Sequence, residues 1–183
     1  MHTTTQLLTA EDLSRLPPDG MRHELIKGEL HTMPPSGFEH GVVGINLSTP
    51  LDQHAKGNRL GLVVGAETGF LIAQNPDTVR GCDIGFVSRE RLEVVGIPST
   101  YWRGPPDLAV EIVSPNDRVY EVDAKVQEWL DAGTRLVWVV NPRQRTVTVY
   151  KPGANPIVLT TKDELDGQDV LPGFRLLVAR IFS

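Results

Sequence analysis

Cysteine is nearly missing from this chain. Cys82 stands alone among 183 residues, so no internal disulfide can form and a reducing cytoplasm is the expected setting. No apolar run approaches the ~18 residues that span a bilayer. The opening MHTTTQLLTAEDL has no basic start followed by an apolar stretch, which predicts no secretory leader. A basic excess is lacking too. The 18 Lys and Arg stand against 23 Asp and Glu, for a net charge of −5. That argues against a surface coated in cations for nucleic acid and leaves room only for a local basic patch. GxxxxGK[ST], HExxH and zinc-type Cys/His clusters do not occur. Repeats, linkers and low-complexity segments are also absent.

What remains is the profile of an ordinary globular chain, 40% apolar and 22% charged, long enough for one domain with a real core. TAEDLSRL (9–16) reads as a short helix capped by Thr9, with Asp12 as the capping-box partner. RHELIKGELHTM (22–33) reads as a hairpin turning at Lys27-Gly28. FEHGVVGINLSTPLDQHAK (38–56) has roughly helical apolar spacing, weakened by Pro50 and its glycines. RLGLVVG, TGFLIA and GCDIGFVS (81–88) predict strands, with a QNPDT turn before the last, and SRERLEVVGI a short helix. EVDAKVQEWLDAG (121–133) predicts a helix stopped by Gly133. TRLVWVVNP, TVTVY and IVLT extend a sheet, and the apolar tail VLPGFRLLVARIF docks on the body. The sum is a single α/β domain with a mixed sheet flanked by helices.

The anomaly is DLAVEIV (107–113), a strand bound for the interior that carries two carboxylates. Alternation puts Leu108, Val110 and Ile112 on one face and Asp107, Ala109, Glu111 and Val113 on the other. Asp107 and Glu111 are then about 13 Å apart at ~3.3 Å per residue, too far to chelate one ion. In GCDIGFV, Asp83 and Gly85 share a face, so Asp83 and Glu111 converge if the two strands are neighbours. Buried carboxylates persist when a cation compensates them. Mg2+ suits an all-oxygen site with one or two carboxylates; an arginine partner serves equally well. Lys125 lies at the edge of the apolar side of its helix, one turn from Glu121 and Trp129. It either snorkels to water or reaches the acids. Asp107 has the simpler role of capping the strand entrance or supporting the site from behind.

Asp83, then Glu111 in a strand, then Lys125 on the next helix resembles the Uma-type family of putative restriction endonucleases, within the PD-(D/E)XK nuclease superfamily. The matching stretches are RHELIKGELHTMPP with His40 beyond it, CDIGFVS, GPPDLAVEIVSP, and Lys125 through WLDAGTRLVWVVNP. They run from about residue 10 to 152, within one domain over 1–183 that ends in a strand and tail at 153–183. The resemblance implies a restriction-endonuclease-like core, a Mg2+-dependent endonuclease (Mn2+ substituting) acting on DNA phosphodiester bonds, and a homodimer. It implies Asp83 and Glu111 as metal ligands, with the Ile112 carbonyl as a third. Lys125 becomes a lysine relocated to the helix, since the superfamily's usual position, two residues after the second acid, holds Val113. Glu24 or Glu29 is the additional N-terminal acid, and His40 either shuttles a proton or bonds a neighbour. Arg22, Arg103 and Arg118 are candidates for phosphate contact. Two departures stand out: Cys82 replaces the usual proline before the first acid, and Glu121 the usual acid four residues before the lysine.

Blander readings hold elsewhere. Trp129 and Trp138 belong to the core. Trp102 either stacks on a base or covers the sheet edge, and Cys82 is a small buried apolar residue. GIPSTYWRGPP (96–106) reads as a loop bordering the site. Against the nuclease stand two alternatives: a catalytically silent nuclease-like fold serving as a binding or assembly module, and a metal-dependent hydrolase of small phosphoesters. The tail FRLLVARIF serves as a dimer interface or completes the core.

Overall fold

Local chemistry sets the N-terminal elements. In α1 (Ala10–Ser14) the Thr9 hydroxyl accepts from the Asp12 N–H, and the Asp12 carboxylate accepts from the Thr9 N–H at 2.9 Å. This is the anticipated capping box. β1 (Arg22–Ile26) and β2 (Glu29–Met33) pair antiparallel. Lys27 and Gly28 both take positive φ, 51° and 80°, the primed turn that matches strand twist. The next helix, α2 (Phe38–Gly57), runs unbroken through Pro50. An interior proline costs about 3 kcal/mol. Val43, Leu47, Leu51 and Ala55 bury at four-residue steps, and at about 1.5–3 kcal/mol for each large aliphatic their burial outweighs that cost.

A computed structural model of the chain describes residues 7–66, 68–115 and 117–183; the first six residues of the segment read for a leader lie outside them. Beyond α2 come β3 (Gly61–Val64), β4 (Gly69–Ala73), β5 (Thr78–Gly81), β6 (Ile84–Ser88) and α3 (Arg89–Val95). β7 (Trp102–Arg103), β8 (Leu108–Ile112), α4 (Val119–Ala132), β9 (Leu136–Asn141), β10 (Thr146–Tyr150) and β11 (Ile157–Leu159) follow. The hairpin β12 (Glu164–Asp166) and β13 (Arg175–Leu177) leads into a 3-10 turn at Val178–Phe182. One sheet runs β11-β10-β9-β8-β6-β3 and a second runs β2-β1-β5-β4-β7. Each contains one parallel pair, β8 with β9 and β4 with β7. The mixed α/β reading holds.

The reading of GCDIGFVS as one strand does not. The chain leaves the five-stranded sheet at the end of β5, crosses at Cys82 and Asp83, and enters the six-stranded sheet as β6. Apolar alternation runs through this crossing, so periodicity alone hides the change of sheet. α4 ends at Gly133 as anticipated, with φ 105°, and starts at Val119, two residues ahead of the expected boundary.

β8 alternates as expected. Val110, Ile112, Trp138 and Phe86 face α2 and the tail, while Ala109, Val137 and Val139 face α4 and Phe70 of the second sheet. The tail inserts Leu171, Phe174, Val178 and Ile181 into the α2-side core. It therefore completes the monomer core, and these buried side chains offer no interface to a second copy. Among the described residues no helix is long and apolar enough to cross a membrane.

Phe174→Ala is expected to cost about 3–5 kcal/mol, because its ring is buried against Trp138. Phe38→Ala, at an exposed position, is expected to stay within about 0.5 kcal/mol of the parent. Urea unfolding of both variants checks the pair.

Candidate functional site

The site forms where the two sheets exchange the chain. β6 and β8 pair antiparallel from Ile84 opposite Val110 to Phe86 opposite Leu108, and Asp83 lies just ahead of the first pair, where the chain bends into β6. There the regular ladder gives way to bonds made by Asp83 itself. The Asp83 N–H donates to the Val110 carbonyl at 3.0 Å, and the Ile112 N–H donates to Asp83 Oδ2 at 2.7 Å. Asp83 thereby holds the residue next to Glu111, and the two carboxylates come near enough for their charges to act on each other. The N–H and C=O of one strand residue point to the same side, so the Ile112 carbonyl is directed toward Asp83 as well.

Each acid has its own cation. Lys125 Nζ donates to Glu111 Oε2 at 2.8 Å and lies 4.0 Å from Glu24. His40, on the first turn of α2, places Nε2 3.2 Å from Asp83 Oδ2. Arg22 spans Asp83 at 3.5 Å, Glu24 at 3.1 Å and the Gly81 carbonyl at 2.8 Å. Glu24 also receives Arg80 Nη1 at 2.7 Å and the Gly81 N–H at 3.0 Å, and Arg80 Nε reaches Glu128 at 2.6 Å. The result is an alternating chain of charge: Glu128, Arg80, Glu24, Arg22, Asp83, His40, with Lys125 joining Glu24 to Glu111.

Several sequence-selected residues fall elsewhere. Glu29 lies opposite Ile26 beside the hairpin turn, exposed, and Glu24 is the acid that enters the cluster. Arg103 is exposed on β7, the outermost strand of its sheet. Arg118 precedes α4, where Glu121 accepts its N–H at 3.1 Å and its guanidinium donates to the Tyr120 hydroxyl at 2.9 Å. Its contacts are local to the start of α4, and Glu121 is occupied as a helix cap. Asp107 accepts the Ser88 N–H at 2.8 Å and pairs with Arg91 at 3.3 Å, fastening the start of α3 from behind the site. Trp102 is buried beneath the Arg91 guanidinium, 5.5 Å from its ring centre, so it covers the sheet and is closed to a base. Residues 102 and 103 of the expected loop pair with β4.

Two members of the cluster escaped the sequence reading. Trp129, assigned only to the core, donates its indole N–H to Glu111 Oε1 at 2.6 Å. Its signal was the spacing of one helical turn from Lys125, which puts both on one face of α4. Arg80 stands opposite Glu24, as the pairing of Leu25 with Val79 requires. It was missed because β5 was not recognised as a strand.

Burial raises the Glu111 carboxyl to about 6, with Asp83 adding to the rise and Lys125 and Trp129 limiting it. Burial also pushes Asp83 and Glu24 upward. The His40 hydrogen bond and the Lys125 charge at Asp83, and the charges of Lys125, Arg80 and Arg22 at Glu24, more than reverse it, so both lie below the usual range. The hydrogen bond to Asp83 raises His40 against its burial. Lys125 is raised as well: burial lowers it, but Glu111 and Glu24 outweigh that. Burial drives the Cys82 thiol far upward and keeps it inert.

Among the described residues no three His, Cys, Asp or Glu side chains gather as a metal-binding group. The oxygen donors Asp83, Glu111 and the Ile112 carbonyl nevertheless fit a hard cation that keeps several waters, as Mg2+ does.

A sequence family described as "Uma2: Putative restriction endonuclease" matches residues 10–179. No curated protein matches the chain. Among solved structures, the crystal structure of a "putative nuclease belonging to DUF820" from Anabaena variabilis is similar, with a TM-score of 0.80 at 19% identity over 96% of this chain and 97% of that one. At that identity the likeness is one of fold.

Two outcomes follow from the charge arrangement. Glu111 keeps a proton in the folded chain that the unfolded chain has released, so its contribution to stability falls as pH rises from 4.5 to about 6. Glu111→Gln is expected to remove this decline, about 2 kcal/mol across the window, read from urea midpoints through that range. Lys125→Met leaves the Glu111 carboxylate without its cation and is expected to cost about 3–5 kcal/mol at pH 8. The cost shrinks at pH 5, where Glu111 is neutral; the same titration reads it.

Proposed function

The chain belongs to the Uma2 family of putative restriction endonucleases, and on that premise we propose that it is a divalent-metal-dependent nuclease that hydrolyses DNA phosphodiester bonds. The observation that carries this reading is that Asp83 bonds the backbone next to Glu111 at 2.7 Å while α4 delivers Lys125 to Glu111 at 2.8 Å. Asp83, Glu111 and the Ile112 carbonyl would hold Mg2+, with Mn2+ as a substitute. When bound, such an ion lowers the pKa of a coordinated water and offsets charge on the phosphoryl oxygens.

The remaining work falls to the chain's own residues. Lys125 Nζ, already 2.8 Å from Glu111, is placed to donate to a phosphoryl oxygen or to orient an attacking water. Trp129 fixes the other Glu111 oxygen, so the carboxylate cannot rotate. Arg22 carries positive charge beside Asp83 and is the phosphate contact this reading retains from the three arginines. His40 holds Asp83 Oδ2 and is positioned to pass a proton outward. Glu24, fixed by Arg80 and Arg22, keeps Lys125 charged and aimed at the site.

One observation favours the silent-module reading. Asp83, Glu111 and Glu24 each already have a protein cation within reach, so the cluster is close to neutral by itself. Calorimetric titration of Mg2+ or Mn2+ into the wild type and into Glu111→Ala, both checked for folding, separates the two. The nuclease reading expects heat from the wild type that is lost in the variant. Equal heats from both, or none from either, would leave the fold as a binding or assembly module.

A further inference from the structure

β1 and β5 pair at Leu25 opposite Val79. Two residues further along β5, side chains take the place of the ladder. The Gly81 N–H donates to the Glu24 carboxylate, and the Gly81 carbonyl accepts from Arg22 Nη2. At this split lies a cavity of about 190 Å3, lined by Arg22, His23, Glu24, Gly69, Gly81 and Tyr101. Tyr101 comes from the 96–106 loop expected to border the site. Arg22 is the wall that the cavity shares with the acids, since its Nη1 lies 3.5 Å from Asp83.

Two glycines keep the space open. Gly69 and Gly81 stand opposite one another on β4 and β5. Neither takes a positive φ, so backbone conformation does not require glycine at either place. Glycine in a strand often marks the close approach of another group. At Gly69 that group is Tyr101, whose ring a Cβ would strike. At Gly81 a Cβ would crowd Arg22 Nη2 at 3.3 Å, on the wall that faces the acids.

The lining selects an anion with an uncharged body attached. His23 has both ring nitrogens engaged, by Thr32 and Asp19. The Glu24 charge is covered by Arg80, Arg22 and the Gly81 N–H. Arg22 has five N–H donors, and three are used, on Asp83, Glu24 and Gly81. It is therefore the cation of the cavity with donors to spare, and Tyr101 supplies an uncharged ring. The volume falls below the ~300–1,000 Å3 that encloses a whole small ligand, so the cavity suits one segment of a longer molecule.

Building on the nuclease reading, we infer that this slot holds the sugar attached to the phosphate that Arg22 meets, packed on the Tyr101 ring with its base left outside. The DNA strand is then gripped beside the acids by parts common to every nucleotide, and the slot reads no sequence.

The test is a chemical-shift titration by NMR in metal-free buffer, with deoxyribose 5-phosphate, thymidine 5′-monophosphate, thymidine and inorganic phosphate as probes. The two sugar phosphates are expected to perturb the Tyr101 ring and the Gly81 amide, and to bind within about twofold of one another. Thymidine is expected to bind about tenfold more weakly or worse, having no phosphate for Arg22. Tyr101→Ala is expected to weaken both sugar phosphates about fivefold, while inorganic phosphate and the Mg2+ heat stay as in the wild type. Gly69→Ala, which displaces the ring, is expected to repeat that loss and to add nothing to it in the double variant; thermal melts check that each variant folds. Inorganic phosphate binding as tightly as the sugar phosphates, with Tyr101→Ala losing nothing, would overturn the inference. So would thymidine binding as well as its monophosphate, which would make the slot a base pocket. If no sugar phosphate binds while the Mg2+ heat is present in the wild type and lost in Glu111→Ala, the inference falls and the nuclease reading stands. If the metal heat is missing as well, both fall together.

Discussion

A carboxylate removed from water has to be given its countercharge by the fold, and Glu111 imposes that demand on most of this molecule. It sits in β8, one of the two central strands of the six-stranded sheet, with Trp129 closed over one oxygen and Lys125 over the other. Both partners come from α4, so the helix is fixed against the sheet by polar contacts as well as by Val126. Lys125 cannot serve Glu111 unless its own burial is compensated, which brings in Glu24 from the second sheet. Glu24 in turn is desolvated and takes Arg80 and Arg22. One buried acid thus binds two sheets and a helix into a single electrostatic unit.

That unit has two faces as a functional device. Fully neutralised, it is a rigid clamp with no obvious need for a ligand. Its components are nevertheless oxygens of adjacent strands and a lysine, set at the point where the chain changes sheets. The same lysine that neutralises Glu24 and Glu111 is the kind of cation phosphoryl chemistry uses. The elevated Glu111 carboxyl marks the place where additional positive charge would be most welcome.

Much of this was legible in the residues. Alternation in DLAVEIV put Glu111 on the face opposite Ile112, and the capping signals of α1 and the glycine stop of α4 read directly. The partners that belong to other elements were harder to see. Arg80 became visible only through the register between β1 and β5, and TVRG is too short to announce a strand. The choice between Glu24 and Glu29 turned on distance from the hairpin turn, a matter of position along a strand that carries no compositional mark. Trp129 looked like core because it is core; its indole N–H adds a second role that hydrophobicity scales do not register. Pro50 misled in the other direction, since helix propensity is a weak prior once a helix has a long buried stripe.

The docking of the tail has a consequence for how the chain comes into being. Leu47 and Phe174 belong to one core although most of the sequence separates them. The α2-side face of the six-stranded sheet therefore stays open until residues 170–182 arrive. During synthesis, Trp138, Val110 and the α2 stripe must wait for residues 170–182 to emerge. Contacts this distant in sequence slow closure. The nascent chain thus passes through an interval in which its largest apolar surface is available to chaperones, or to other unfinished copies of itself.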